Sequence, residues 1–208
     1  MIALRVTVPV ACWRKGHARE LLESEVLPPP ATCYGALLSL VGETDRERHR
    51  GCRVTAGLLE EPSRSMVLRT LWRVKSPAVV QGNGENARPD FQQLVTGSDL
   101  VLFCDGSDEA GESLERRIDD ALREPGSVDR FGGWSLGEST HLINDLWRIE
   151  GPVLPGSCRT FVLAPDGELT LPVWVDHVGA AGTKYATGNL AALTELPARE
   201  QLPQIPTS

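Results

Sequence analysis

From Ile2 to Val10 apolar residues recur at every second position (Ile2, Leu4, Val6, Val8, Val10). That is the period of a strand with one buried face. The next stretch, ACWRKGHARELLESEVLPPP (11–30), keeps no period. It gathers Trp13, Arg14, Lys15, His17 and Arg19 and stops in three prolines, so it reads as an arm that must end before the next element. In 31–41 the period changes. Tyr34, Leu37, Leu38 and Val41 stand at i, i+3, i+4 and i+7 and predict an amphipathic helix. Pro30 suits its first turn, Thr32 is a candidate cap, and Gly42 ends it.

Residues 53–59 and 66–74 predict strands, with a polar Gly/Asn-rich loop over 76–89. Residues 91–96 and 100–104, split by Gly97-Ser98, predict a hairpin. Leu114, Ile118, Ala121 and Leu122 share one face of a second helix over 114–123, followed by a Gly-rich loop over 125–140 and a strand over 146–150. Pro165-Asp166-Gly167 between two apolar runs predicts a further hairpin. The last dozen residues, with Pro197, Pro203 and Pro206, predict a loose tail. A β-α-β-β-α-β order followed by a small β section predicts an α+β, ferredoxin-like sheet with helices on one face.

With 208 residues the chain needs no disulfide or metal to fold. Its five cysteines form no CxxC pair, which argues against a zinc ribbon or a disulfide framework. No leader and no membrane span is visible, so a reduced cytoplasm is expected. The net charge of −7 speaks against nucleic acid, but the charge is unevenly placed. Residues 1–88 hold 13 Lys+Arg against 9 Asp+Glu, and residues 89–208 hold 8 against 19. A basic first part on an acidic chain fits a subunit that presents one face to a polyanion.

Candidate chemistry narrows the choice. Gly133-Trp134-Ser135-Leu136-Gly137 matches the GxSxG elbow of hydrolases, with Asp145, Asp176 and His177 downstream. The elbow needs a buried strand before it, and REPGSVDRFG is too polar and too rich in Gly and Pro for one. His17, His49, His141 and His177 form no metal-ligand spacing, and Gly82-Asn83-Gly84 lacks the rest of a phosphate loop, so no metal or cofactor is expected. What remains is aromatic rings interleaved with guanidinium groups. Trp13 stands beside Arg14 and Lys15, Trp72 among Arg69, Arg73 and Lys75, and Phe131 and Trp134 beside Arg130. Such sets stack bases and neutralise phosphates. The start of helix 31–41 offers free backbone N–H groups to a phosphate.

These segments resemble a known family. LPPPATCYGALLSLVGE is similar to a proline-ended arm and first helix of the form P-P-x-T…G-x-L…G. RPDFQQLVTGSDLVLF resembles the strand that returns from a long hairpin. LREPGSVDRFGGWSLGESTHLIND resembles a helix, Pro, Gly-rich loop, LG element, and LTLPVWVDHVG completes the pattern. The family is the CRISPR-associated Cas-five family, and its DevS type is the branch most resembled. The resemblance covers nearly the whole chain.

The resemblance implies a ferredoxin-like (RRM-related) domain over 1–150 with a β-hairpin thumb at about 69–96, and a small β section with a tail over 151–208. It implies a non-catalytic Cascade subunit that caps the 5′ handle of the guide RNA (crRNA), for RNA-guided DNA targeting in antiviral defence or transposon guidance. Partners would be crRNA, Cas-seven backbone subunits, a Cas-eight large subunit and, through the complex, target DNA. The expected RNA-binding residues are Trp13, Arg14, Lys15, Arg19, Thr32, Tyr34, Arg69, Arg73, Lys75, Arg88, Arg130, Gly132, Gly133 and Trp134. One branch of the family is a metal-independent ribonuclease that trims the guide precursor. Tyr34, His17, Lys15 and Lys75 are the candidates for that chemistry here, but the adjacent Lys-His pair it would use in the hairpin is absent.

Overall fold

The computed structural model describes residues 1–16, 21–72, 76, 78–80, 83–178 and 180–207, with Leu71 and Trp72 described by their backbone. Among them run β1 (Ile2–Ala11), β2 (Leu21–Leu22), α1 (Pro30–Leu40), β3 (Arg53–Leu58), β4 (Ser63–Trp72), β5 (Ala87–Asp105), α2 (Leu114–Arg123), β6 (Asp145–Arg148), β7 (Val153–Leu163), β8 (Leu169–Trp174) and β9 (Lys184–Glu195). One sheet takes the order β6-β1-β5-β3-β7-β9-β8, with β2 and β4 pairing the outer reach of β5. All these pairings are antiparallel except β2 with β5. The chain is therefore α+β, a mostly antiparallel sheet with few helices.

The alternation read in β1 sets two faces. Leu4, Val6, Val8, Leu100 and Leu102 join Leu37, Leu40, Leu114 and Ile118 in the main core, so both helices cover that face. Ala3, Val101 and Phe103 point to the opposite face. There they meet Leu154, Cys158 and Leu202, contributed by β7 and the C-terminal segment.

The hairpin expected over 91–104 is replaced by a single strand of 19 residues. Gly97 does not turn the chain back. It stays in register, opposite Pro9, between the pairs Val8–Ser98 and Val10–Thr96. Gly97 has φ +68° with open space around it, and Pro9 has no N–H for the ladder, so β5 bends here without reversing. The inner half of β5 lies between β1 and β3, and the outer half pairs with β4 from Ser63–Thr96 to Trp72–Ala87. The true hairpin is thus β4–β5.

Two smaller expectations also change. Thr32 is not the cap of α1. The helix starts at Pro30, and the N-cap residue Pro29 has no side chain with which to bond. The tail is not loose. Leu202 and Ile205 are fully buried, Val54 N–H donates to Pro203 O, Gly51 N–H to Ile205 O and Ile205 N–H to Cys52 O. Two apolar side chains between prolines are enough to seat the segment along the start of β3.

Candidate nucleic-acid interface

Helix α1 buries Cys33, Tyr34, Ala36, Leu37, Leu38 and Leu40. Its remaining side is made of small residues. Ala31, Gly35 and Ser39 floor a groove, and Gly35 is exposed with nothing near its missing Cβ. One wall is the Gly-rich loop. Trp134 Nε1 donates to Ala36 O at 2.8 Å and pins the loop across the helix. At the far end Gly42 has φ +68°, and a Cβ there would lie 2.3 Å from Asp129 O, so only glycine lets the loop pass so close. The other wall is the end of β8 with the residues after it, Trp174, Val175 and His177.

The groove has two compartments. The one nearer the start of α1 holds about 300 Å³ and is lined by Thr32, Arg46, Ser135, Gly137, Trp174 and His177, among others. The second holds about 720 Å³ beside Glu43, Asp129, Arg130 and Phe131. Phe131 is fully exposed, a ring held out on a loop. The Arg46 guanidinium carbon lies 3.8 Å from the centroid of Trp174, and its Nη2 donates to Val175 O at 2.9 Å. Arg50 also approaches that ring, at 4.1 Å. Stacking of this kind contributes about 1–2 kcal/mol and fixes the plane of the guanidinium.

The hairpin leans on the same wall. Arg69 Nη1 donates to Gln92 Oε1 and, at 3.0 Å, to Glu138 Oε2, while Gln92 Nε2 donates to Glu138 Oε1 at 2.9 Å. Its other face is apolar and open. Leu21, Phe91 and Leu68 form a row across β2, β5 and β4, and Met66 stands next to Leu68 on the same side.

The residues singled out from the sequence fall into distinct places. Thr32 lines the groove, and Trp134 is half-buried at its wall. Arg130 and Gly132 are exposed, Gly132 with φ +78°, and Gly133 lies beside Leu142. Trp13 is in the core, 1% exposed, its Nε1 donating to Leu136 O. Tyr34 is buried, and its hydroxyl donates to Arg46 O at 2.7 Å. Arg14 is exposed, and Lys15 N–H donates to Glu23 O. Arg88 is bound to Asp90 within the hairpin. Arg19, Arg73, Lys75 and His17 lie outside the described residues. The pattern of aromatic and basic residues did not separate rings used in packing from rings left open. Arg46, Trp174 and Glu138 went unassigned as site residues, Phe131 was noted beside Arg130 without entering the expected RNA-binding set, and His177 was noted only as a partner of Ser135. For Trp174 the alternation of LTLPVWV places the ring on a sheet face, but not beside Arg46.

The charge states follow from these contacts. Burial pushes the Tyr34 hydroxyl well above the ordinary tyrosine range. Burial would also raise Glu43, but the Asp45 N–H and the Arg117 and Arg48 guanidinium groups outweigh it and hold the carboxyl at about 2. Ser135 lines the groove with His177, yet it sits in a one-residue bridge to Leu142 with no helix after it, unlike a nucleophile elbow. Among the described residues no three His, Cys, Asp or Glu gather as a metal site, and no helix is long and apolar enough to cross a membrane.

No family model matches the chain. A curated protein of Myxococcus xanthus (strain DK1622), "CRISPR-associated protein Cas5", is 64% identical over 208 residues, covering 99% of this chain and 97% of that one. Two solved structures share the fold. A chain of "CRISPR RNA-guided surveillance complex" has a TM-score of 0.63 at 14% identity, over 95% of this chain and 91% of that one. A chain of "Crystal structure of Cas protein" has a TM-score of 0.51 at 12% identity, over 98% and 97%.

Proposed function

The chain belongs to the CRISPR-associated Cas5 family, and we propose that it is a binding subunit of a Cascade-type complex that caps the 5′ handle of the guide RNA. The observation that carries this reading is the groove over α1. It is floored by small residues and lined by a stacked Arg46–Trp174 pair, His177, Arg130 and the open ring of Phe131. Planar cations grip phosphates and open rings stack bases.

The element order β1-α1-β3-β5-α2-β6, with strands arranged β6-β1-β5-β3, supports a ferredoxin-like, RRM-related first domain. In this reading β4–β5 is the thumb, and residues 151–208 form the smaller second section. The fold shared with a chain of an RNA-guided surveillance complex supports partners of the same kind: crRNA, Cas-seven and Cas-eight subunits and, through them, target DNA.

The subunit binds and does not cut. Tyr34, the best-placed hydroxyl for general-base work, is engaged to Arg46 O and disfavoured as an anion by burial. The test is to incubate the purified chain with labelled CRISPR-repeat RNA in EDTA. Retained, uncut RNA is the expected result. Cleavage under those conditions would make the chain a metal-independent ribonuclease instead.

A further inference from the structure

His141 is 7% exposed. Its Nδ1 accepts two backbone N–H groups, from Cys12 at 3.2 Å and from Glu138 at 3.1 Å. A ring nitrogen that accepts both carries no proton, so the hydrogen is on Nε2. The backbone closes around it, with His141 N donating to Glu138 O at 2.8 Å and Leu136 N to His141 O at 3.0 Å. Cys12 follows the last residue of β1. Glu138 carries the connection outward, because its two oxygens take Arg69 and Gln92, the inward-facing residues of the hairpin. One imidazole therefore joins the arm, the groove wall and, through Glu138, the hairpin.

We propose that neutral His141 is the positioning residue that fixes the hairpin and the groove wall in one arrangement, and that its protonation releases both. The consequence for RNA rests on the reading given above. Among the described residues four titratable groups face the ring or its partners: Glu138 on the same loop, Cys12 and Arg14 from the arm and Arg69 from β4; Gln92 from β5 is uncharged. Burial lowers the affinity of His141 for a proton below the ordinary histidine value, Glu138 opposes this, and Arg69 adds to it. Burial pushes the Cys12 thiol up, so it stays neutral. Glu138 Oε2 lies 4.0 Å from Nε2 and is already engaged by Arg69, so it does not hold an imidazolium in place. A protonated Nδ1 would point a hydrogen at two N–H groups, and both bonds are lost. The folded state binds this proton less well than the unfolded chain. Its contribution is present above about 6.5 and is lost as pH falls below it.

Binding of labelled CRISPR-repeat RNA to the full chain is to be measured at about pH 7.5 and about pH 5.5, for the wild type, His141→Asn and His141→Leu. Asn Oδ1 stands where Nδ1 stands and accepts the same N–H groups without titrating. The wild type should release RNA about tenfold faster at the lower pH, the size expected of two neutral hydrogen bonds lost together. His141→Asn should hold RNA at both pH values, and His141→Leu should release it quickly at both. Acidification acts on the rest of the chain in both proteins alike, so the difference between wild type and His141→Asn is the decisive quantity. Equal pH profiles for those two, or a His141→Leu variant that matches the wild type, would overturn the proposal. If no variant binds RNA, the RNA reading fails, and amide exchange at Cys12 and Glu138 decides this one. Exchange that accelerates on acidification in the wild type but not in His141→Asn, beyond the intrinsic rate change, supports it. Identical behaviour overturns it.

Discussion

Arg46 lies over Trp174, its guanidinium carbon 3.8 Å from the ring centroid, and both line the compartment beside Ala31 and Thr32. The pair joins the segment after α1 to the end of β8. The same residue receives the Tyr34 hydroxyl on its carbonyl. Packing inside the core thus aims a cation into the groove.

Replacing Arg46 by Ala removes both charge and plane. RNA affinity should fall, and the slope of log affinity against log salt should shallow by about one. Arg46→Lys restores the slope but only part of the affinity, since an ammonium does not stack as a plane. Anisotropy of labelled repeat RNA across a salt series checks both. An unchanged slope for Arg46→Ala removes Arg46 from the interface.

Tyr34→Phe leaves the ring in the core and Arg46 O without its donor. The expected cost is about 1 kcal/mol of stability, with RNA bound as before. Denaturant unfolding gives the first number and anisotropy the second. A parent chain that cuts RNA and a Tyr34→Phe chain that binds but does not cut would give the hydroxyl a catalytic role.

Gly35 and Gly42 separate filling the groove from breaking the fold. Gly35→Leu meets open space and improves helix propensity, so melting should not fall, while a side chain on the groove floor should weaken RNA binding by about tenfold or more. Gly42→Val must adopt φ +68° against Asp129 O and should cost about 2 kcal/mol or more. Thermal melts beside binding isotherms test the pair. A Gly35→Leu chain that melts normally and binds RNA at full strength contradicts the groove.

Glu43 couples acid stability to the contact between α1 and α2. Its carboxyl is held at about 2, below the ordinary 4.5, chiefly against burial by the Asp45 N–H and by Arg117. The folded chain therefore binds this proton less readily than the unfolded one. The stability it contributes is whole above about pH 4.5 and is lost as pH falls toward about 2. Glu43→Gln should be less stable at neutral pH and should lose less on acidification. Urea midpoints across that range check it, and parallel curves for the two chains count against it.

Much of the scaffold was legible because periodicity reports burial. Ile2, Leu4, Val6 and Val8 of β1, the stripe Tyr34, Leu37, Leu38, Val41 and Leu114, Ile118 and Ala121 of α2 became core, with Leu122 half-buried against it, while Val10, the last of the β1 alternation, is exposed. The single strand β5 was hidden because Gly97-Ser98 carries the local signature of a turn, and only the pairing with β1 shows that the chain runs on. The site was less legible. Trp13 and Tyr34 have the composition of an RNA-binding set, yet tertiary packing takes their rings. Phe131 differs from them only through its neighbours across the fold, and Trp174 is itself core, its ring covered by Arg46 and Arg50 at the groove wall. Arg69 was read as a phosphate contact, and its ion pair with Glu138, sixty-nine residues away, spans a distance no local pattern shows.

The most direct measurement places the RNA on the surface. Repeat RNA carrying 4-thiouridine near its 5′ end is bound to the full chain, irradiated, and the linked peptides are identified. The groove reading predicts links at Phe131 and His177, suppressed in Gly35→Leu. Links confined to the opposite side of the sheet, around the exposed ring of Trp147 and Val153, with none on the groove walls, would contradict it.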